Sequence, residues 1–258
     1  MGENFSSEKK FEIFMEDAKH HFSGWDFSYI EHRMVMEPLS WSYPSIILPY
    51  IRTAKSLLDM GTGGGELLYS LQPLPKKTCA TEAYKPNVPI AQEKLEPIGV
   101  KVFEINEDDE KLPFETEEFD LIINRHEFYL PDEVFRILKK GGLFITQQVG
   151  GKNDLEFNEF LNASVDLKSQ PSDWNLEFAV KDLITAGFEI IEQKKASPKQ
   201  RSFDIGAIVY YFQAIPWQLP DFTIEKYYDK LKEMHQLIET KGYFETTSER
   251  FLIIAKKK

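Results

Sequence analysis

Leu57-Leu58-Asp59-Met60-Gly61-Thr62-Gly63-Gly64-Gly65-Glu66 is an apolar run that breaks into glycines and reopens as a helix start. That pattern is a strand feeding a tight turn. Glycine tolerates positive φ and carries no Cβ, so Gly61, Gly63 and Gly65 leave room for a nucleotide-sized group beside exposed amides. A dinucleotide fingerprint beginning at Gly61 requires glycine at position 66, where Glu66 stands, and a pyrophosphate is poorly served by that charge. A hydride-transferring, dinucleotide-dependent enzyme is therefore the weaker reading.

Four further blocks follow in order. Thr78-Cys79-Ala80-Thr81-Glu82 reads as a second buried strand, and Glu82 falls where doubly wound folds place a ribose-binding carboxylate. Val100-Lys101-Val102-Phe103 reads as a third, leading through Glu107-Asp108-Asp109-Glu110 to Leu112-Pro113-Phe114. Phe119-Asp120-Leu121-Ile122-Ile123-Asn124-Arg125-His126 gives a fourth. Val134 to Leu138 is helical, its lysines and Gly141-Gly142 form a stop signal, and Leu143 to Thr146 is a fifth strand.

Together these blocks resemble the class I S-adenosylmethionine-dependent methyltransferases, in particular their UbiE-like and type 11 members. The resemblance implies an α/β fold with a doubly wound, mostly parallel seven-stranded sheet, the Rossmann-like methyltransferase fold. It also implies a cofactor, S-adenosylmethionine, held by Asp59 at its ammonium, by Gly61, Thr62, Gly63 and Gly65 along its methionine part, and by Glu82 and Ala83 at its ribose. Asp108 would face the adenine amino group and the Asp109 amide a ring nitrogen. Asn124, Arg125 and His126 would line the cofactor and the methyl-transfer site. The implied chemistry is in-line displacement of the sulfonium methyl onto an acceptor.

The chain has 258 residues, 42% hydrophobic, enough for a full core, and no linker separates two small domains. A single domain is expected, with residues 1–55 as an N-terminal cap and 56–195 as the cofactor-binding core. Residues 196–247 would form a helical cap insertion, and 248–258 the last strand and a basic tail. A net charge of −11 disfavours nucleic acid, whose phosphates need a basic surface, and favours a small-molecule acceptor. No apolar stretch spans a bilayer and no leader pattern opens the chain, so the expected location is cytoplasmic. The lone Cys79 reads as a buried hydrophobe. His20, His21, His32, His126 and His235 lack metal-ligand spacing, so no metal is expected.

Within the cap, Phe11, Phe14, Met15 and Ala18 fall at helical spacing, as do residues of Phe203 to Ala214 and Tyr227 to Glu239. Leu176 to Ala186 reads as a helix, and Phe188 to Glu192 and Arg250 to Ala255 as strands. Tyr29, Trp41, Tyr210, Tyr211 and Trp217 offer flat amphipathic rings to a substrate. Arg33 could meet a substrate anion, and Glu127 and Tyr129 lie just past the fourth strand. If the acceptor must lose a proton, His126 is the candidate general base. A binding protein that keeps the fold without turnover is the alternative from another class.

Overall fold

The computed structural model describes residues 5–22, 25–106, 109–163 and 173–258. In chain order the first elements are α1 (Ser7–Asp17), β1 (Met34–Met36), α2 (Tyr43–Thr53), β2 (Ser56–Met60), α3 (Glu66–Ser70), β3 (Lys77–Glu82), α4 (Asn87–Leu95) and β4 (Lys101–Glu104). Then come β5 (Phe119–Arg125), α5 (Pro131–Ile137), β6 (Leu138–Val149), α6 (Leu155–Leu161), α7 (Leu176–Thr185) and β7 (Phe188–Ala196). The last are β8 (Lys199–Ser202), α8 (Ile205–Ala214), α9 (Ile224–Lys241), β9 (Phe244–Thr247) and β10 (Arg250–Lys257). Helix starts follow capping chemistry. Ser6, Ser42, Asn175, Asp204 and Thr223 each accept a first-turn amide with the side chain.

The chain divides into two compact units. One comprises residues 39–150, 175–196 and 250–258, and the other residues 1–38, 151–174 and 197–249. The first holds a seven-stranded sheet of order β4-β3-β2-β5-β6-β10-β7. The strands from β4 to β6 pair in parallel, while β10 is antiparallel to both β6 and β7. All five residues of β2 are buried, the sign of a parallel strand covered on both faces. Strand order reverses between β2 and β5, with Met60 paired to Asn124 across the divide. Open α/β sheets bind ligands at the carboxyl ends flanking such a reversal. The fold is thus the Rossmann-like sheet expected from the sequence.

α2 packs Tyr43, Ile47 and Ile51 with Leu57, Leu121 and Ile145 of this sheet. The stretch therefore sits with the core unit, although it falls inside residues 1–55, read from sequence as cap. Gly141-Gly142, read as a turn between helix and strand, lies inside the long β6. Phe119 pairs with Leu138 and Leu121 with Leu143, so the intervening residues are looped out, with Gly141 at φ +79°. A bulge of this kind spares the strand a break while absorbing the extra residues.

The second unit has its own core, in which Phe11, Phe157, Phe212, Leu231 and Met234 are fully or nearly fully buried. It also has a three-stranded antiparallel sheet of order β1-β8-β9. Neither that sheet nor α6 was legible, since Met34–Met36, Lys199–Ser202 and Phe244–Thr247 are too short to show a period. α8 and α9 match the expected helices. His20 and His21 lie beyond the end of α1, not on a helix, and line one open recess with Asp26, Ser28, Tyr29 and Tyr210. No helix among the described residues is long and apolar enough to cross a membrane.

Candidate active site

β2 delivers Asp59 to its carboxyl end and the chain then turns through Gly61, Gly63 and Gly65, at φ +68°, +62° and +84°. The turn is pinned to β3. Thr62 N–H donates to the Thr81 carbonyl at 3.0 Å, and Gly63 N–H donates to Glu82 Oε2 at 2.6 Å. Glu82 Oε1 accepts from Tyr84 N–H at 2.8 Å. The three glycines answer different needs. A Cβ on Gly61 would lie 2.5 Å from Glu127 Cβ, and one on Gly65 would lie 2.8 Å from Leu95 Cγ, whereas one on Gly63 would meet nothing within 4 Å. Gly61 and Gly65 are required by packing as well as by backbone conformation, Gly63 by its positive φ alone.

Gly65→Ala should therefore damage the fold itself. The left-handed conformation costs an L-residue about 1–2 kcal/mol, and the Leu95 clash adds to it. A lowered denaturant midpoint with an unchanged slope would show this. An unaltered midpoint would mean that the turn relaxes at no cost.

Asp59 is 5% exposed and Glu82 3%. Burial pushes the Asp59 pKa up to about 7, opposed by the Thr62 hydroxyl, reinforced by the nearby Glu82 charge and opposed by Arg125. Burial also raises that of Glu82, against hydrogen bonds from the amides of Tyr84, Gly63 and Ala83. Two buried carboxyls thus stand on adjacent strand ends, each with its pKa raised because burial disfavours the charged form. The sequence-expected set Asp59, Gly61, Thr62, Gly63, Gly65, Glu82 and Ala83 thus converges on one edge of the sheet.

Asn124 and Arg125 close β5 beside this turn. Asn124 is fully buried, and its Oδ1 accepts from Gln148 Nε2 at 2.7 Å and from the Thr146 hydroxyl at 3.2 Å. Its Nδ2 is buried with no partner. Gln148 also donates to the Glu127 carbonyl at 3.0 Å, and Glu127 packs against Gly61, which places it at the glycine turn. His126 follows at φ +68°, a strained conformation for a non-glycine residue and one that clusters at functional sites. The residue is exposed, and desolvation of its ring together with the positive charges of Arg250 and Arg125 holds its pKa well below the usual histidine range. A lowered pKa favours the neutral ring, the form that can accept a proton.

Several expected site residues are engaged elsewhere. Asp108 lies outside the described residues. The Asp109 amide donates to the Asn106 carbonyl at 3.0 Å, so it is spent within its own turn and does not present itself to a ring nitrogen. Tyr129 is buried with its ring edge-on to Phe144 at 4.9 Å, a core position and not a substrate wall. Arg33 Nη1 lies 2.6 Å from Asp17, and its Nε and Nη2 donate to Asp204 at 2.8 and 2.6 Å, so its anion is internal. Tyr29 donates to Asp17 at 2.5 Å and Tyr211 to Asp154 at 3.0 Å, and Tyr210 is 2% exposed in the core of its unit. Trp217 is 37% exposed and pairs with Trp25 at 5.5 Å. Trp41 Nε1 donates to Gln147 Oε1 at 2.9 Å.

Gln147 and Gln148 were missed. A polar pair ending the apolar run Leu143 to Thr146 is a legible anomaly, because both are almost wholly buried and a strand end has no packing use for two amides.

Residues 58–146 match a family model described as the methyltransferase domain, in its type 11 form. Among solved structures, a candidate methyltransferase of Bacillus halodurans C-125 is similar at 20% identity and TM-score 0.58, covering 84% of this chain and 99% of that one. The [4+2]-cyclase SpnF is similar at 13% identity and TM-score 0.52, covering 97% of this chain and 92% of that one. Geranyl diphosphate methyltransferase in complex with S-adenosylmethionine is similar at 12% and 0.50, with 83% and 84% covered. These identities are a likeness of fold. No curated protein matches the chain. The resemblance read from the sequence holds: this is a class I methyltransferase fold whose central segment matches the family's model, with which a UbiE-like subtype is compatible.

Proposed function

We propose that the chain is an S-adenosylmethionine-dependent methyltransferase acting on a small-molecule acceptor. The observation that carries the reading is the Asp59–Glu82 pair flanking a glycine turn whose middle member, Gly63, faces open space. These residues fit the cofactor chemically. Asp59 would take the ammonium, the Gly63 position would admit the methionine part, and the remaining lone pairs of Glu82 would accept from the ribose hydroxyls. When bound, the cofactor supplies an electrophilic methyl on a cationic sulfur.

The chain's own contribution is alignment and exclusion of water. Holding donor and acceptor in line accounts for much of a displacement barrier without covalent help from a side chain. Fold alone does not choose the reaction, as the cyclase among the similar structures illustrates. The alternative of cofactor binding without turnover is answered by experiment: calorimetric titration with S-adenosylmethionine and with NADH, then a panel of small acceptors with detection of S-adenosylhomocysteine. Micromolar binding of the first with product on one acceptor supports the proposal. Preference for NADH would overturn it.

Glu82→Ala should weaken S-adenosylmethionine about tenfold or more, because hydrogen bonds to a charged group contribute about 1.5–3 kcal/mol. Part of that loss passes through the freed Gly63 amide. Affinity equal to wild type would remove Glu82 from the site.

A further inference from the structure

The second unit holds a recess of about 260 Å³ lined by His20, His21, Asp26, Ser28, Tyr29 and Tyr210. Sites for drug-sized ligands run to roughly 300–1,000 Å³, so this one suits a molecule of few atoms. Its walls are held from behind. Arg33 donates to Asp204 through Nε and Nη2 at 2.8 and 2.6 Å and pairs with Asp17 through Nη1 at 2.6 Å. Asp17 accepts from the Tyr29 hydroxyl at 2.5 Å, and the Tyr29 ring carries His20 stacked on it at 3.9 Å, with 10° between the planes. Asp204 also caps α8, accepting from Ala207 N–H at 2.8 Å, and α8 bears Tyr210. One ionic relay therefore fixes both an exposed imidazole and a phenol whose ring lies 6.3 Å from it, the rigid support that a binding site requires.

Tyr210 is the anomaly in this recess. It is 2% exposed, and its hydroxyl has no hydrogen-bond partner among the described residues. That oxygen is not one of the fully sealed polar atoms, so the little surface that Tyr210 keeps includes it and opens on the recess. Buried phenols normally find a partner, and here the recess must supply it. Asp26 brings a carboxylate to the same lining. Its Oδ1 accepts from Ser28 N–H at 2.8 Å, and that bond, with one from the Ser28 hydroxyl, holds its pKa below the usual value. A carboxylate has about four acceptor positions, so most of them stay open to a ligand. An anion would meet this charge with no lysine or arginine in the lining to offset it. A metal ion fits no better, because among the described residues no three His, Cys, Asp or Glu side chains are placed to hold one.

We propose that the recess binds a small primary ammonium compound, whose head group donates to the Asp26 carboxylate and to the Tyr210 hydroxyl oxygen. Such a head has three N–H donors, and the third suits a lone pair of the His20 imidazole. Tyr29 and Arg33 are positioning residues in this scheme, since their own polar atoms are spent on Asp17 and Asp204. The site belongs to the second unit alone, and it does not depend on the methyltransferase reading.

Three probes of one chain length test the proposal: butylammonium, butanol and butyrate, each titrated into the full chain while the histidine ring signals are followed by NMR. Butylammonium should shift His20 and His21 saturably, with a Kd in the millimolar range usual for so small a ligand, and leave the exposed His32 unmoved. Asp26→Asn keeps an oxygen for Ser28 N–H but removes the charge, and should weaken butylammonium about threefold to fivefold. Tyr210→Phe keeps the ring and should weaken it about threefold, without lowering the melting temperature, because the lost hydroxyl bonds to nothing in the free protein. Wild-type affinity in both variants would overturn the proposal. So would shifts that never saturate and move His32 equally, or butanol or butyrate binding as tightly as butylammonium.

Discussion

Gly63→Val should yield a folded protein that no longer binds S-adenosylmethionine. The glycine sits at φ +62°, so any side chain there carries backbone strain of about 1–3 kcal/mol, but no atom of the protein stands where the Cβ would go. The new side chain would project into the volume assigned to the cofactor. Loss of affinity beyond about a hundredfold, or about 2.8 kcal/mol, is expected by calorimetry, alongside a modest fall in melting temperature. Position 65 is the internal control, since its Cβ strikes Leu95 and its cost is to the fold. Wild-type affinity in a folded Gly63→Val protein would show that the space before the turn is not the binding site.

Asp59→Asn should move stability and affinity in opposite directions. The buried carboxyl keeps its proton to about pH 7 in the folded chain, whereas the unfolded chain releases it near the ordinary value of 3.8. Between those pH values the folded state holds more protons. Stability therefore falls as pH rises through that window, by up to about 1.4 kcal/mol per unit, and levels off above it. Asparagine has no such slope, so the variant should melt higher than wild type at pH 8 and lose its advantage toward pH 4. S-adenosylmethionine affinity should drop by about tenfold to a hundredfold with the loss of the ammonium's counter-charge. Binding to wild type near pH 6.5 should release protons, because a cation beside Asp59 favours its ionised form, and calorimetry in buffers of different ionisation enthalpy reads this directly. A variant no more stable at pH 8, with full affinity, would place Asp59 outside the site.

The core sheet was legible because parallel strands covered on both faces must be almost wholly apolar, and Leu57, Leu58, Ile122 and Ile123 announce themselves. The glycine turn was legible only with the blocks that follow it, Glu82 at the end of the next strand first among them. What escaped was the polar bonding of individual side chains. Nothing in the string separates an Arg33 that awaits a substrate from one held by Asp17 and Asp204, which lie 16 residues before and 171 after it. The Asp109 amide was misjudged for a local reason, since Asn106 three residues earlier captures it. The role of Gln147 depends on a tryptophan 106 positions away, beyond the reach of any periodicity.

β10 has a consequence for biosynthesis. It lies inside the large sheet, bonded to β6 on one side and β7 on the other, yet its residues, Arg250 to Lys257, follow both partners in the chain and are made after them. Until they leave the ribosome, β6 and β7 each expose an unpaired flank of amides and carbonyls, a template for pairing with another nascent chain. Deleting β10 would therefore remove more than one strand's worth of contacts. It would leave β6 and β7 each with an uncovered edge, and the variant lacking β10 should appear in inclusion bodies.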